Sequence, residues 1–172
     1  MFTLVIGGAA SGKSAWAEDY VLRLPGKRIY LATMQPYGEE ARRRVEKHRA
    51  QRAGMGFETL EWETNLCGAS VPEGSNVLLE DLSNLLANEL YSPRGEGAGA
   101  ALRGVESLLA RCEHLTVVTN EVFSGGTDYL GDTLRFLREL ALLNRLLAER
   151  ADRVIEVVCG LPNVLKGEST EC

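Results

Sequence analysis

The chain has 172 residues, of which 45% are hydrophobic and 25% are charged, a composition typical of one globular domain with a buried core. Its net charge of −5 argues against general nucleic-acid binding, which normally needs a basic surface, and favours small-molecule partners. No apolar stretch approaches the roughly 20 residues of a membrane span, and the N-terminus lacks a basic signal-like region, so we expect a cytoplasmic protein. Four cysteines are scattered without a C-x-x-C pair, which predicts neither a zinc site nor a disulfide framework.

Short apolar runs alternate with helical patterns along the chain. This alternation predicts a mostly parallel central sheet with helices on both faces, an α/β three-layer sandwich. The run Val77–Leu79 is apolar at every position, as expected when both faces of a sheet are buried. We predict a single domain, residues 1–172, with a partly disordered tail after about residue 160. In chain order, the predicted elements are strand 2–6, helix 13–24, strand 28–33, helix 38–52, strand 57–62, strand 76–80, helix 82–91, helix 99–111, strand 115–119, helix 130–150 and strand 153–158.

The first predicted strand runs directly into a glycine-rich segment that matches G-x-x-x-x-G-K-[ST], the pattern of a phosphate-binding loop. Glycines let the backbone curl so that successive N–H groups point at phosphate oxygens, and the following helix adds its positive N-terminal end. Lys13 is predicted to reach the β- and γ-phosphates and Ser14 to hold Mg²⁺. The chain is therefore predicted to bind a nucleoside triphosphate on a P-loop NTPase-type fold. The loop consists of Gly7, Gly8, Ala9, Ala10, Ser11, Gly12, Lys13 and Ser14.

Acidic and amide side chains follow two of the predicted strands, at the sheet edge where ligands of such folds bind. One strand ends in Glu80 and Asp81. We assign Glu80 to Mg²⁺ beside the phosphate loop and Asp81 to capping the next helix, a common use of aspartate there. Another strand is followed by Asn120 and Glu121, which fit either substrate positioning or ordinary turn chemistry.

The most charged segment of the chain, the predicted helix 38–52, contains one of its two histidines. Ala41, Val45, His48 and Arg52 are four, three and four residues apart and therefore share one helix face. In a triphosphate-binding protein such a histidine could act as a nucleophile toward phosphorus, with arginines neutralising the phosphate charge. The alternative is a packed histidine with a satisfied hydrogen bond, and spacing alone favours that alternative.

Together, these motifs resemble the bifunctional adenosylcobinamide kinase/adenosylcobinamide-phosphate guanylyltransferase family of cobalamin biosynthesis. The resemblance covers nearly the whole chain, and its later motifs are far more specific than the phosphate loop alone. They are Gly7-Gly8-Ala9-x-Ser11-Gly12-Lys13-Ser14, Tyr30-Leu31-Ala32-Thr33, Arg44-Val45-x-x-His48-Arg49-x-x-Arg52, Leu78-Leu79-Glu80, Val118-Thr119-Asn120-Glu121-Val122 and Ala151-Asp152-x-Val154.

The resemblance implies two reactions on one scaffold. In the first, a hydroxyl of adenosylcobinamide takes a phosphoryl group from ATP or GTP, with charge neutralisation by Lys13, Ser14 and Mg²⁺. In the second, His48 attacks the α-phosphorus of GTP, releases pyrophosphate and passes GMP to adenosylcobinamide phosphate, giving adenosylcobinamide-GDP. The resemblance also implies a homo-oligomer. Beyond the phosphate loop, it implies a nucleotide site lined by Ala32, Thr33, Met34, Arg49, Ala50, Gln51, Arg52, Glu61 and Glu80.

The chain departs from the family pattern at residues 123–129, which read Phe-Ser-Gly-Gly-Thr-Asp-Tyr where many members continue with glycine and a Gly-Ile-Val-Pro-like stretch. Two other functions stay open from the residues. One is a P-loop small-molecule kinase without nucleotidyl transfer, in which His48 is structural. The other is a nucleotide-dependent regulatory binding module whose partner docks on helix 38–52. The chain lacks an Asn-Lys-x-Asp guanine-specificity element, so the choice between ATP and GTP is open as well.

Overall fold

The structure is a computed structural model that describes residues 1–35, 39, 43, 46, 54–123 and 129–168. Its strands are β1 (Phe2–Gly7), β2 (Arg28–Ala32), β3 (Glu58–Glu61), β4 (Asn76–Glu80), β5 (His114–Asn120), β6 (Arg153–Val158) and β7 (Leu161–Lys166). Its helices are α1 (Lys13–Leu22), α2 (Leu82–Tyr91), α3 (Ala98–Leu109) and α4 (Gly131–Arg150), and a short 3-10 helix covers Leu66–Gly68.

The strands of the described chain form one seven-stranded sheet in the order β3-β2-β4-β5-β1-β6-β7. Neighbouring strands from β3 to β6 are parallel, and only the last pair, β6 and β7, is antiparallel. Parallel neighbours need a crossover connection, and α1, α2, α3 and α4 lie between strands as such connections require. The predicted α/β sandwich with a mostly parallel sheet is therefore confirmed.

Hydrophobic side chains are buried on both faces of the sheet. Leu4 and Leu79 belong to one core cluster, whereas their chain neighbours Val5 and Leu78 belong to a second. Successive side chains of a strand point to opposite faces, so this split places one cluster on each side of the sheet. Residues of α2, α3 and α4 pack in the first cluster and those of α1 in the second, which gives the three layers.

Apart from helix 38–52, whose ends lie outside the described residues, the predicted element boundaries agree with the structure to within one or two residues. The largest differences are at helix ends: α1 stops at Leu22 instead of 24, and α3 stops at Leu109 instead of 111. Within the predicted helix 38–52, Glu39, Arg43 and Glu46 are helical, and the rest of that segment lies outside the described residues. Residues 124–128, where the sequence departs from the family pattern, also lie outside them.

The prediction of a disordered tail after residue 160 is wrong for residues 161–166. These residues form β7, which pairs with β6 through the two-residue turn Cys159-Gly160. Both turn residues have positive φ, 52° and 78°, the conformation that a tight two-residue hairpin requires. Pro162 is compatible with this strand because β7 lies at the edge of the sheet, where one unpaired backbone position is tolerated. The pairing with β6 therefore orders a segment whose own periodicity is weak.

The longest described helix, α4, has 20 residues, but charged side chains recur along it. No helix in the described part of the chain is both long and apolar enough to cross a membrane.

Candidate active site

The glycine-rich loop joins the end of β1 to the start of α1, as the motif predicts. Ala10 and Gly12 have φ angles of 55° and 89°, so the backbone reverses its curl at both positions. Such alternating conformations make a concave nest of N–H groups that suits an anion. Lys13 is only 8% exposed, and its Nζ donates to the carbonyl oxygen of Gly8 at 3.2 Å, within the loop itself.

A serine–glutamate pair lies where the first turn of α1 meets the end of β4. The hydroxyl of Ser14 donates to Oε1 of Glu80 at 2.7 Å, although the two residues are 66 positions apart. The other carboxylate oxygen, Oε2 of Glu80, is buried and has no hydrogen-bond partner among the described residues. A hydroxyl and a carboxylate oxygen are ligands that a hard cation such as Mg²⁺ prefers. The unpartnered oxygen therefore fits the predicted metal role.

Burial and, after it, the neighbouring Asp81 carboxylate raise the pKa of Glu80 from 4.5 to about 8. The Ser14 hydrogen bond and the charge of Lys13 oppose this rise. Burial also raises the pKa of Asp81. A cation bound between these carboxylates and the phosphate loop would remove the cost of keeping the buried charge.

Asp81 caps α2, as the sequence predicts. Its Oδ1 accepts a hydrogen bond from the Asn84 N–H at 2.7 Å. On its other side, the Asn120 amide donates to the Ser83 hydroxyl at 2.9 Å and approaches Oδ2 of Asp81 at 3.5 Å. The side chain of Asn120 thus connects the end of β5 to the start of α2. This contact favours a structural role for Asn120 over substrate positioning.

Thr33 directly follows β2, and the donor of its hydroxyl is used within the protein. It is fully buried, and its hydroxyl donates to the carbonyl oxygen of Asp81 at 2.8 Å and lies 3.2 Å from that of Glu80. The role of Thr33 as a lining residue of the nucleotide site stays a prediction. The residue holds the ends of β2 and β4 together, while its neighbours Ala32 and Met34 are half-buried at this edge.

Three of the predicted site residues lie in one row across the sheet. Ala32 pairs in register with Glu61 of β3 on one side and with Glu80 of β4 on the other. Adjacent strands are about 4.8 Å apart, so Glu61 lies about 10 Å from Glu80 along the same edge. The structure therefore brings Glu61, Ala32 and Glu80 to one edge of the sheet, although Glu61 is not adjacent to the phosphate loop.

Beyond Glu61 the edge opens into a cleft of about 460 Å³. Arg94 forms an ion pair with Oε2 of Glu63 at 2.7 Å across this cleft. The buried carboxylate of Glu89 stabilises this region. It accepts hydrogen bonds from the backbone N–H groups of Asn65 at 2.6 Å and Glu96 at 2.8 Å. Sequence reasoning missed Glu89, since a glutamate within a helix is normally solvated. The cleft is lined by Glu61, Trp62, Glu63, Thr64, Asn65, Gly68 and Arg94.

The predicted nucleophile lies outside the described residues, as do the residues that follow it: His48, Arg49, Ala50, Gln51 and Arg52. Within the same predicted helix, Arg43 and Glu39 form an exposed ion pair at 3.8 Å, four residues apart, as helical spacing allows. The roles of His48 and its neighbouring arginines stay predictions.

Comparison with solved structures supports the fold. Two solved structures share the fold at 11% identity: the flagellar accessory protein FlaH from Methanocaldococcus jannaschii and an ATPase of a bacterial type III secretion system. The match to FlaH has a TM-score of 0.51 and covers 97% of this chain and 78% of FlaH. The match to the ATPase has a TM-score of 0.53 and covers 95% of this chain and 56% of the ATPase chain.

Closer relatives align along almost the whole chain. The bifunctional adenosylcobalamin biosynthesis protein CobP of Pseudomonas aeruginosa is 34% identical over 98% of this chain and 99% of its own. The corresponding CobU proteins of Escherichia coli and Salmonella typhimurium are each 30% identical over 94% of this chain and 97% of their own. The family model for cobinamide kinase / cobinamide phosphate guanyltransferase, CobU, matches residues 3–165, and the chain belongs to that family.

Proposed function

We propose that this protein phosphorylates adenosylcobinamide and then transfers GMP from GTP to the phosphorylated product, giving adenosylcobinamide-GDP. The observation that carries the proposal is the Ser14–Glu80 pair, which lies at 2.7 Å beside the buried Lys13 in a phosphate loop of a chain from this family. Both reactions need a bound nucleoside triphosphate with its charge neutralised, and this is the chemistry that the pair and the lysine supply.

In the phosphorylation step, the loop N–H groups and Lys13 would bind the phosphates of ATP or GTP. Ser14 and Glu80 would hold Mg²⁺, which would supply positive charge to neutralise the phosphates. The hydroxyl oxygen of adenosylcobinamide forms a bond to the γ-phosphorus as the bond to the β-phosphate oxygen breaks, and the hydroxyl proton is released. The protein contributes mainly positioning and electrostatic stabilisation to this step.

In the transfer step, a ring nitrogen of His48 would form a bond to the α-phosphorus of GTP while pyrophosphate leaves. A phosphate oxygen of adenosylcobinamide phosphate would then displace the histidine and take over the GMP group. A covalent intermediate of this kind divides one difficult displacement into two easier ones. Family membership and the motif around His48 support this role.

The row formed by Glu61, Ala32 and Glu80 supports a nucleotide site that extends from the phosphate loop along the sheet edge. We propose Ala32, Thr33, Met34 and Glu61 as lining residues, together with the segment Arg49–Arg52. A homo-oligomer stays a prediction that follows from the family resemblance. A cytoplasmic location, expected from the sequence, and the absence of a nucleic-acid partner, which the net charge of −5 favours, also stay predictions.

The decisive experiment separates the transfer step from phosphorylation. The purified protein is incubated with α-labelled GTP and Mg²⁺, denatured, and tested for acid-labile, base-stable label. We expect label on the wild type and none on His48→Ala, while the phosphorylation of adenosylcobinamide largely survives. His114 lies half-buried at the start of β5, so His114→Ala is the matched control and should keep its label.

An unlabelled wild type that still phosphorylates adenosylcobinamide would mean a simple kinase with a structural histidine. A protein that binds nucleotide without forming any phosphorylated small molecule would instead be the regulatory module.

A further inference from the structure

The phosphate loop is in backbone contact with the turn between β6 and β7. The N–H of Gly160 donates to the carbonyl oxygen of Ser11 at 2.8 Å. A Cβ placed on Gly12 would lie 3.0 Å from the Cα of Gly160, and one placed on Gly7 would lie 2.7 Å from the carbonyl oxygen of Val157. The β6–β7 hairpin therefore packs tightly against both ends of the loop.

The hairpin is itself firmly anchored. The ammonium group of Lys166 donates to the carbonyl oxygens of Ala148 and Glu149, at 3.1 and 2.8 Å, which belong to the last turn of α4. A lysine at a helix C-terminus satisfies carbonyls that have no partner within the helix. Val164 of β7 packs against the core cluster on the α1 face. The turn is thus held in place independently of the loop that it touches.

The hydrogen bond from Gly160 fixes the orientation of one peptide group in the loop. The peptide that joins Ser11 to Gly12 is planar and trans, so its C=O and N–H point in opposite directions. Because Gly160 holds the carbonyl toward the hairpin, the N–H of Gly12 points away from it. A reversed peptide would instead present a carbonyl dipole to the phosphates and repel them.

We propose that Gly160 is a positioning residue for the phosphate loop, and that the turn Cys159-Gly160 keeps the Gly12 N–H available to a nucleotide's phosphates. The proposal rests on the proposed nucleotide site. It gives the last strand a role in nucleotide binding that the sequence pattern of the tail does not indicate. Gly160 is needed because its φ of 78° is a conformation that other residues adopt only with strain.

Glycine substitutions test the proposal, since a Cβ on Gly160 meets nothing within 4 Å. Gly160→Ala therefore perturbs the turn through backbone strain and not through a clash. Gly74 provides the matched control: its φ is 67°, its surroundings are equally open, and its N–H bonds to the carbonyl of Arg111, away from the loop. Asparagine tolerates positive φ better than alanine, so Gly160→Asn should restore the turn.

The measurement is the affinity for a non-hydrolysable GTP analogue with Mg²⁺ by calorimetry, with the urea midpoint of each variant measured alongside. Losing a hydrogen bond of ordinary strength corresponds to a roughly twofold to tenfold weakening. We expect Gly160→Ala to weaken binding by that factor, Gly160→Asn to recover most of it, and Gly74→Ala to bind within about twofold of the wild type at a similar loss of stability.

Equal affinities of Gly160→Ala and Gly74→Ala would overturn the positioning role while leaving the nucleotide site intact. A wild type that does not bind the analogue would overturn the nucleotide site and this inference with it. If Gly160→Ala does not fold, Gly160→Asn and Gly74→Asn decide, because asparagine relieves the strain of positive φ only in part: a residual loss of affinity in Gly160→Asn alone supports the proposal, and equal affinities of the two variants overturn it.

Discussion

Replacing Glu80 with glutamine tests the electrostatics of the proposed metal site directly. The glutamine side chain keeps an oxygen that can accept the hydrogen bond from the Ser14 hydroxyl. The substitution removes the negative charge. In the wild type, burial and then the Asp81 carboxylate raise the pKa of Glu80 from 4.5 to about 8, against the opposing Ser14 hydrogen bond and Lys13 charge. The proton is therefore held in the folded protein at pH values where the unfolded chain has already released it.

This difference has a defined sign and an approximate size. Between pH 4.5 and about 8 the native state binds one more proton at Glu80 than the unfolded state, so the stability of the wild type falls as pH rises through this window. Each unit of pKa difference corresponds to about 1.4 kcal/mol. The range from about pH 5.5 to pH 8 covers roughly 2.5 pH units. The wild type should therefore lose at most about 3 kcal/mol of unfolding free energy over this range. The glutamine variant does not lose this stability.

The assay is urea denaturation with a chelator present, at about pH 5.5, 7 and 8.5. The unfolding free energy of Glu80→Gln, relative to that of the wild type, should rise by up to about 3 kcal/mol between the lowest and the highest pH. Added Mg²⁺ should then stabilise the wild type at the highest pH and have little effect on the variant. Glu73→Gln, at an exposed carboxylate, is the control for a general change of charge. A stability difference that is the same at all three pH values would refute the reasoning.

Two further substitutions test the loop and the strand ends. Lys13→Ala should weaken triphosphate binding about tenfold to a hundredfold and abolish both reactions, because a charge-assisted phosphate contact is lost; robust turnover in either assay would reject its role. Thr33→Val should cost about 0.5–1.5 kcal/mol in urea denaturation, since it removes the hydroxyl's hydrogen bond to the Asp81 carbonyl while that carbonyl keeps the backbone N–H of Leu85 as a donor. An unchanged midpoint for Thr33→Val would contradict the structural role assigned to this side chain.

Local sequence features predicted the fold and the centre of the site. The phosphate loop is readable because glycines at fixed positions permit its backbone angles, and Gly12 has the positive φ that the motif demands. The capping role of Asp81 was predictable as well, because the residue just before a helix is a capping position, and Asp81 does cap α2. The metal role of Glu80 stays a proposal.

Features that depend on distant partners were missed. Nothing near Thr33 in the sequence indicates that its hydroxyl is consumed by the end of another strand. The turn Cys159-Gly160 offered one local signal, a glycine suited to positive φ, but β7 lacks a clear pattern because most of its side chains are exposed. The role of Glu89 was missed for the same reason: its carboxylate accepts hydrogen bonds from two loops, at Asn65 and at Glu96, that are distant from each other in the sequence.

By itself, the sequence determined most of the described strands and helices, that the chain has a phosphate loop, and to which family its motifs belong. These properties follow from side-chain periodicity and from backbone angles that short stretches of chain impose. Only the tertiary structure decided the order of the strands. That order places Glu80 against Ser14, Ala32 between Glu61 and Glu80, and the β6–β7 turn against the phosphate loop. Such contacts join residues far apart in the chain, and packing of the whole core, not local preference, selects them.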